Sequence, residues 1–305
     1  MIEFNMNFRR IVNVMTVDER GSCDEYTKII KFMENNKVNQ SDISLQQLED
    51  YLPEVKLGGQ YSPELCVPKE RVAIIFPVRN REQHLRIMLR NLHPFLIRQQ
   101  RDYRIFVIEQ SEKGAFNRGK LLNIGYTIAL NNKYTCFFFH DVDLIPENNN
   151  NIYKCESNPV HFSAANQKYH YKLVTHVDEC SVIKLPYANY FGGIAAMTSD
   201  QFTKANGFSN LYQGWGAEDD DIYARITNSG MNVTRKSLKI ARYTALAHKS
   251  NRYHKNYKNN LNLWKKAFKT YKSNATYKLD GLNTLKYETV RYEEFKLYTN
   301  IIVNI

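Results

Sequence analysis

The feature that most constrains the fold is the run Cys136-Phe137-Phe138-Phe139, which leads within two residues into Asp141-Val142-Asp143. Consecutive apolar residues leave a strand no face to turn toward water, so this segment reads as a strand buried on both sides, as in an α/β sheet. Such sheets bind ligands outside the carboxyl ends of their strands, where the two aspartates fall. Carboxylates buried there without a cation would be costly. A hard divalent ion bridging a carboxylate and a diphosphate removes that cost and stabilises charge on a departing diphosphate. An Asp-x-Asp tripeptide alone is a common turn; its place behind three phenylalanines gives it weight.

The pattern around this strand completes the fold class. Val72 to Phe76 reads as a strand stopped by Pro77, and Arg81 to Gln100 as an amphipathic helix with Leu85, Met88, Leu89, Leu92 and Leu96 at helical spacing. Tyr103 to Ile108 is a second strand, Asn117 to Asn131 a second helix, and Thr135 to His140 a third strand. This is a parallel βαβαβ unit. Further along, Tyr190 to Met197 reads as a strand whose glycines admit close backbone approach, Asp200 to Asn206 and Asp220 to Ser229 as helices, and Val233 to Leu246 as a strand pair. Tyr298 to Ile305 is a last β-rich stretch. Residues 1 to 66 read as a loosely packed arm with one capped helix in Asp42 to Glu49, and 67 to 305 as the main domain.

A second acidic cluster, Glu218-Asp219-Asp220-Asp221, follows Gly214-Trp215-Gly216. A helix N-terminus enriched in acids explains Asp220 and Asp221 through the dipole alone. It does not explain Trp215, a flat aromatic on a flexible turn that suits sugar stacking beside carboxylates able to bind hydroxyls. At Pro77-Val78-Arg79-Asn80-Arg81 a strand ends in two guanidinium groups, which suit phosphate. Phe116-Asn117-Arg118-Gly119-Lys120 opens a helix, where an anion or a plain N-cap at Asn117 fits equally.

In the 305 residues, 42 Lys and Arg face 31 Asp and Glu, a net charge of +11. Many lysines lie between Arg252 and Lys272, where a solvated basic surface is the first explanation. Nucleic acid is the poorest partner, since carboxylate clusters in a groove repel a phosphate backbone. No apolar stretch approaches the roughly 20 residues of a membrane span, and no signal peptide is evident. The five cysteines, Cys23, Cys66, Cys136, Cys155 and Cys180, match no CxxC pattern, which leaves structural disulfides with one spare thiol or reduced core cysteines. Sequons at Asn39, Asn232 and Asn274 are compatible with a secretory route.

Six motifs in one order give these features a family likeness: Phe76-Pro77-Val78-Arg79-Asn80-Arg81, Phe116-Asn117-Arg118-Gly119-Lys120-Leu121-Leu122-Asn123, Asp141-Val142-Asp143-Leu144-Ile145-Pro146, Tyr190-Phe191-Gly192-Gly193, Gly214-Trp215-Gly216-Ala217-Glu218-Asp219-Asp220-Asp221 and Asp280-Gly281-Leu282-Asn283. The sequence resembles the β-1,4-galactosyltransferases, glycosyltransferase family 7, from about Cys23 onward. The resemblance implies a GT-A fold, that of nucleotide-diphospho-sugar transferases, with a mixed central sheet flanked by helices. It implies inverting transfer of galactose from UDP-galactose to a terminal N-acetylglucosamine, with Mn²⁺ or another divalent cation as cofactor. N-acetylgalactosamine transfer, galactose transfer to xylose, and a catalytically weak sugar-binding relative are the alternatives.

By that resemblance Pro77, Arg79, Arg81, Phe116, Arg118 and Val142 hold the uridine diphosphate, with Asp141, Tyr190, Gly193 and Trp215 completing the donor set, Trp215 on a loop that closes over the donor and creates the acceptor site. Asp143 and His248 ligate the metal. Asp219 is the catalytic base, with Glu218 beside it binding the donor sugar. Cys23 pairs with Cys66 and Cys136 with Cys155, leaving Cys180 free. The sequence departs from the pattern where a Met or His normally precedes the metal-binding His, since Ala245 and Leu246 stand there. Val78 replaces the usual Phe, and Ala217 a Gly or Arg. The family likeness implies the Golgi lumen or secretory pathway, with a soluble or cytoplasmic form as the alternative because no membrane anchor is seen.

Overall fold

The computed structural model describes residues 21–24, 36–111, 114–171, 189–248, 255–274 and 276–305. Helix α1 (Leu45–Tyr51) starts at Ser44, whose hydroxyl accepts from the Gln47 amide while the Gln47 side chain returns to the Ser44 amide. This is a capping box, and it starts the one capped helix read in Asp42 to Glu49. A short strand, β1 (Gln60–Tyr61), leads to β2 (Arg71–Val78), α2 (Glu82–Arg98), β3 (Asp102–Gln110), α3 (Arg118–Asn131) and β4 (Cys136–His140). Next come β5 (Leu144–Pro146), β6 (Val160–His161), β7 (Ala165–Asn166), β8 (Ile194–Thr198) and α4 (Ser199–Lys204). The chain continues through α5 (Glu218–Asn228), β9 (Thr234–Arg235), β10 (Arg242–Ala245), α6 (Tyr257–Asn274), β11 (Glu288–Glu294) and β12 (Thr299–Asn304).

The main sheet runs β11-β12-β3-β2-β4-β8-β6-β9, with β1 also on β3. β12, β3, β2 and β4 are mutually parallel, and β8 joins β4 antiparallel, so the sheet is mixed. Side chains alternate across it with period two. Val72, Ile74, Phe76 and Phe138 pack with Leu85, Met88, Leu89, Leu92 and Leu96 of α2. Ala73, Ile75, Phe137 and Phe139 face the other way, onto Leu121, Leu122 and Tyr126 of α3. A helix layer on each face is why β4 tolerates no polar face.

Three expectations are corrected. Pro77 does not stop β2, which continues to Val78 with Pro77 opposite Ile108 of β3. Pairing to β4 has already ended at Ile75, so a residue without an N–H is tolerated there. Tyr190 to Gly193 is loop, and β8 begins only at Ile194. The two strands in 233–246 do not pair with each other: β9 lies beside β6 and β10 between β5 and β7. The basic tract is largely helix α6, packed on α5 through Ala224, Trp264, Ala267 and Tyr271. Disulfides join Cys23 to Cys66 and Cys136 to Cys155, while Cys180 lies outside the described residues.

Candidate active site

The carboxyl ends of β2 and β4, the start of α3 and the start of α5 meet at one edge of the sheet. Arg118, the first residue of α3, is the hub. Its Nε donates to Asp141 Oδ1 at 2.7 Å, its Nη2 donates to the Gly193 carbonyl at 3.3 Å, and its Nη1 lies 3.9 Å from Glu218 Oε1. One guanidinium thus ties together three of the motifs. Asn117, directly before it, caps α3 by accepting from the Lys120 amide, so the plain N-cap reading holds for Asn117 while Arg118 turns inward. Burial opposes the charge on Arg118, but Asp141 and Glu218 outweigh it and hold its pKa above the ordinary value.

Asp141 and Asp143 diverge from one tripeptide, with Val142 buried between them. Burial pushes the Asp141 carboxyl up against the opposing pull of Arg118. Burial also acts to raise Asp143, but the hydrogen bond and charge of His248 win and hold it low. His248 Nε2 lies 2.9 Å from Asp143 Oδ2. A carboxylate oxygen and an imidazole nitrogen side by side form a donor set suited to Mn²⁺ and its neighbours, so these residues fit a divalent cation. Ala245, at the end of β10, offers that site no donor, and His84, in the first turn of α2, stands near with its ring centroid 6.4 Å from that of His248.

Asp219 lies in the first turn of α5, beside the Tyr190-to-Gly193 loop. A Cβ built on Gly192 would fall 2.6 Å from both Asp219 Oδ2 and the Tyr190 hydroxyl, so only glycine lets those two groups approach the same point. Gly193 takes a positive φ of 87°, and a Cβ there would meet Ser163 Oγ at 2.5 Å. Burial, reinforced by Glu218 and Asp220, pushes the Asp219 carboxyl well above its ordinary value, and burial likewise raises Glu218. A base so raised takes a proton more avidly near neutral pH.

The rim is aromatic and basic. Trp215 is 41% exposed, and its ring tilts against Tyr257 at 5.2 Å. Arg79 lies over the Phe116 ring at 5.5 Å and donates to the Gly114 carbonyl at 3.0 Å. Arg81 donates to the Asn80 carbonyl at 3.4 Å, within its own turn, and Pro77 stays within β2.

Two supporting clusters escape sequence reading. His161 Nε2 donates to the Gly192 carbonyl at 2.9 Å, Ser163 Oγ donates to the same oxygen at 2.9 Å, and Arg235 Nη2 donates to the Tyr190 carbonyl at 2.9 Å. Arg235 Nε also donates to His161 Nδ1 at 3.3 Å, which fixes the neutral tautomer. Burial, with the nearby Arg235 charge, lowers the His161 pKa to about 3. His161 and Arg235 are partners across the parallel β6–β9 pair, 74 residues apart in sequence, so no local pattern links them. The second cluster is Asp221, which pairs with Arg225 and accepts from the hydroxyls of Tyr212 and Tyr271, while Arg225 reaches Asp280. The i,i+4 spacing of Asp221 and Arg225 is its one sequence signal.

Family profiles match most of this architecture: one for the N-terminal region of glycosyl transferase group 7 covers residues 23–156, and one for the N-terminal domain of galactosyltransferase covers 160–249. Over 264 residues, 86% of the chain, the sequence is 42% identical to β-1,4-galactosyltransferase 1 of Mus musculus and 43% identical to that of Bos taurus. Over the same length it is 41% identical to β-1,4-galactosyltransferase 3 of Homo sapiens. The chain spans 61 to 63% of the length of these relatives. Among solved structures, the catalytic domain of Drosophila β-1,4-galactosyltransferase 7 in complex with xylobiose matches with a TM-score of 0.59 and 31% identity, covering 77% of this chain and 93% of that one. A mutant of the same enzyme, in complex with manganese, UDP-Gal and xylobiose, gives a TM-score of 0.60 at 29% identity and the same coverage. With six ordered motifs, the mixed sheet and the converging acidic site in agreement with these matches, the chain belongs to the β-1,4-galactosyltransferase family of group 7 glycosyltransferases, with a GT-A fold.

Proposed function

We propose that this protein is a metal-dependent inverting galactosyltransferase that moves galactose from UDP-galactose to a terminal N-acetylglucosamine in β-1,4 linkage. The observation that carries this reading is the convergence of Asp219 Oδ2 and the Tyr190 hydroxyl at Gly192, one loop from the Arg118–Asp141 pair. Arg118, Arg79 and Phe116 bind the nucleotide end, and Glu218 accepts a hydroxyl of the donor sugar. Asp219 takes the proton of the acceptor hydroxyl as that oxygen attacks the anomeric carbon, which inverts in a single displacement. Asp143 and His248 would hold a divalent cation, which would supply positive charge for a departing diphosphate. Trp215 stacks on the acceptor and excludes water from the reacting centre.

Xylose as acceptor is the second reading, favoured by the xylobiose complexes of the Drosophila neighbours. We place the protein in the lumen of the secretory pathway, a reading supported by its two disulfides. Among the described residues no helix is long and apolar enough to cross a membrane.

The test incubates the protein with UDP-galactose and Mn²⁺, offering N-acetylglucosamine and xylose glycosides in parallel. UDP release with a β-1,4 product on N-acetylglucosamine is expected. Preference for xylose would move the assignment to the second reading, and no acceptor-dependent UDP release with either sugar would overturn the activity.

A further inference from the structure

The positive charge of this chain is not spread evenly. Between Asp221 and Asp280 there is no acidic residue and there are fourteen Lys or Arg, which leaves 28 basic against 31 acidic residues elsewhere. The whole net charge therefore resides in one stretch. Some of its arginines are absorbed by the fold, as Arg225 and Arg235 are. Four lysines of α6 are not. Lys258, Lys265, Lys266 and Lys269 are exposed, and among the described residues none of the four pairs with a carboxylate.

Helical geometry gathers them. At 100° per residue, Lys258, Lys265 and Lys269 fall within about 40° of one another, with Asn262 in the same stripe, opposite the Trp264, Ala267 and Tyr271 face that packs on α5. A rise of 1.5 Å per residue sets Lys258 and Lys265 about 10 Å apart, with Lys269 about 6 Å further. Phe268, 51% exposed, flanks the stripe. The stripe begins at the candidate acceptor platform: Tyr257, beside Lys258, packs on Trp215, and the Asn260 side chain donates to the Gln213 and Trp215 carbonyls at 3.0 and 3.2 Å. A row of exposed cations, unneutralised among the described residues and leading away from a sugar platform, attracts an anionic chain and orients it toward that platform.

We propose that the lysine stripe of α6 is an extended acceptor subsite for anionic glycans, contacting the negatively charged sugars that lie behind the terminal one. This rests on the galactosyltransferase reading above. The terminal sugar occupies the Trp215 platform, and acidic groups on the following sugars run along Lys258, Lys265 and Lys269. Such contacts are strongest at low ionic strength and fade within a Debye length as salt is added.

The experiment compares two acceptors of equal length ending in N-acetylglucosamine: a hyaluronan-type oligosaccharide with its glucuronates intact, and the same oligosaccharide with its carboxyls reduced to neutral glucose. With the wild-type protein, kcat/KM should favour the anionic acceptor by about tenfold or more at low salt, mainly through KM, and the ratio should approach one at high salt. The triple variant Lys258→Gln, Lys265→Gln, Lys269→Gln should lose the preference and retain turnover of the neutral acceptor. Equal use of both acceptors, or a preference that survives in the triple variant, overturns the proposal. So does lysine-dependent sedimentation with phosphatidylserine vesicles unaccompanied by an acceptor preference, which would make the stripe a membrane contact. If neither acceptor turns over, the activity reading has failed instead, and calorimetric titration with the intact oligosaccharide decides the subsite: salt-sensitive binding that the triple variant loses upholds it, and no binding overturns it.

Discussion

Arg235 donates its Nη2 proton to the backbone carbonyl of Tyr190 at 2.9 Å, so a residue of β9 fixes the loop on which a candidate donor-sugar contact sits. The Tyr190 ring stands edge-on to His161 at 5.6 Å, and His161 in turn holds the next carbonyl but one, that of Gly192. The Tyr190 side chain and the backbone of its loop are thus held by separate groups.

Tyr190→Leu should raise activity with UDP-N-acetylgalactosamine by about tenfold or more, because a phenol ring crowding the sugar's C2 substituent rejects the acetamido group more than the hydroxyl. Arg235→Met should shift the donor ratio in the same direction by freeing the loop. Competition between the two UDP-sugars measures the ratio; an unchanged ratio in the Leu variant would reduce Tyr190 to a packing aromatic.

Asp219→Asn should abolish transfer while leaving UDP binding nearly intact, since an amide keeps the shape but cannot take the acceptor's proton, a loss of about 10² to 10⁴ in rate. Turnover and calorimetric UDP titration check both halves. More than about a tenth of the activity remaining would reassign the base to Glu218.

A metal site built on Asp143 and His248, with Ala245 contributing nothing, should bind Mn²⁺ weakly and discriminate little among Mn²⁺, Co²⁺ and Mg²⁺. Ala245→Met should tighten Mn²⁺ binding by about tenfold, read from the electron paramagnetic resonance of free Mn²⁺. Full activity in excess chelator would remove the metal from the reaction.

Arg225→Met should cost about 3 kcal/mol or more, because it strands the buried Asp221 carboxylate and releases Asp280 from α5. Denaturant unfolding gives the figure. Loss under 1 kcal/mol would mean that the Tyr212 and Tyr271 hydroxyls satisfy Asp221 unaided.

Glu70 lies beside the Cys136–Cys155 disulfide, and burial raises its carboxyl from 4.5 to about 7. The folded protein therefore binds a proton that the unfolded chain has released, and stability should fall as pH rises from about 4.5 to 7, by about 2 kcal/mol for a partly buried group. Glu70→Gln should flatten that window; an identical pH profile in the variant would place the dependence elsewhere.

What the sequence determined by itself was the set of local signals. The phenylalanine run dictated a strand buried on both faces, because its residues leave no polar side. Asp42 to Glu49 dictated a capped helix, and the six ordered motifs dictated the family, since each pairs a glycine, proline or carboxylate with fixed neighbours. Tertiary structure alone decided which strands lie side by side. β9 pairs with β6 and not with β10, and that choice brings Arg235 to His161 and both to the Tyr190 loop. Pro77 likewise remains in its strand only because the neighbouring strand has already ended. Hydrophobic period and capping chemistry act over a few residues and can be read along the chain, whereas strand order and the meeting of distant polar groups depend on the free energy of the whole packed assembly, which no local window contains.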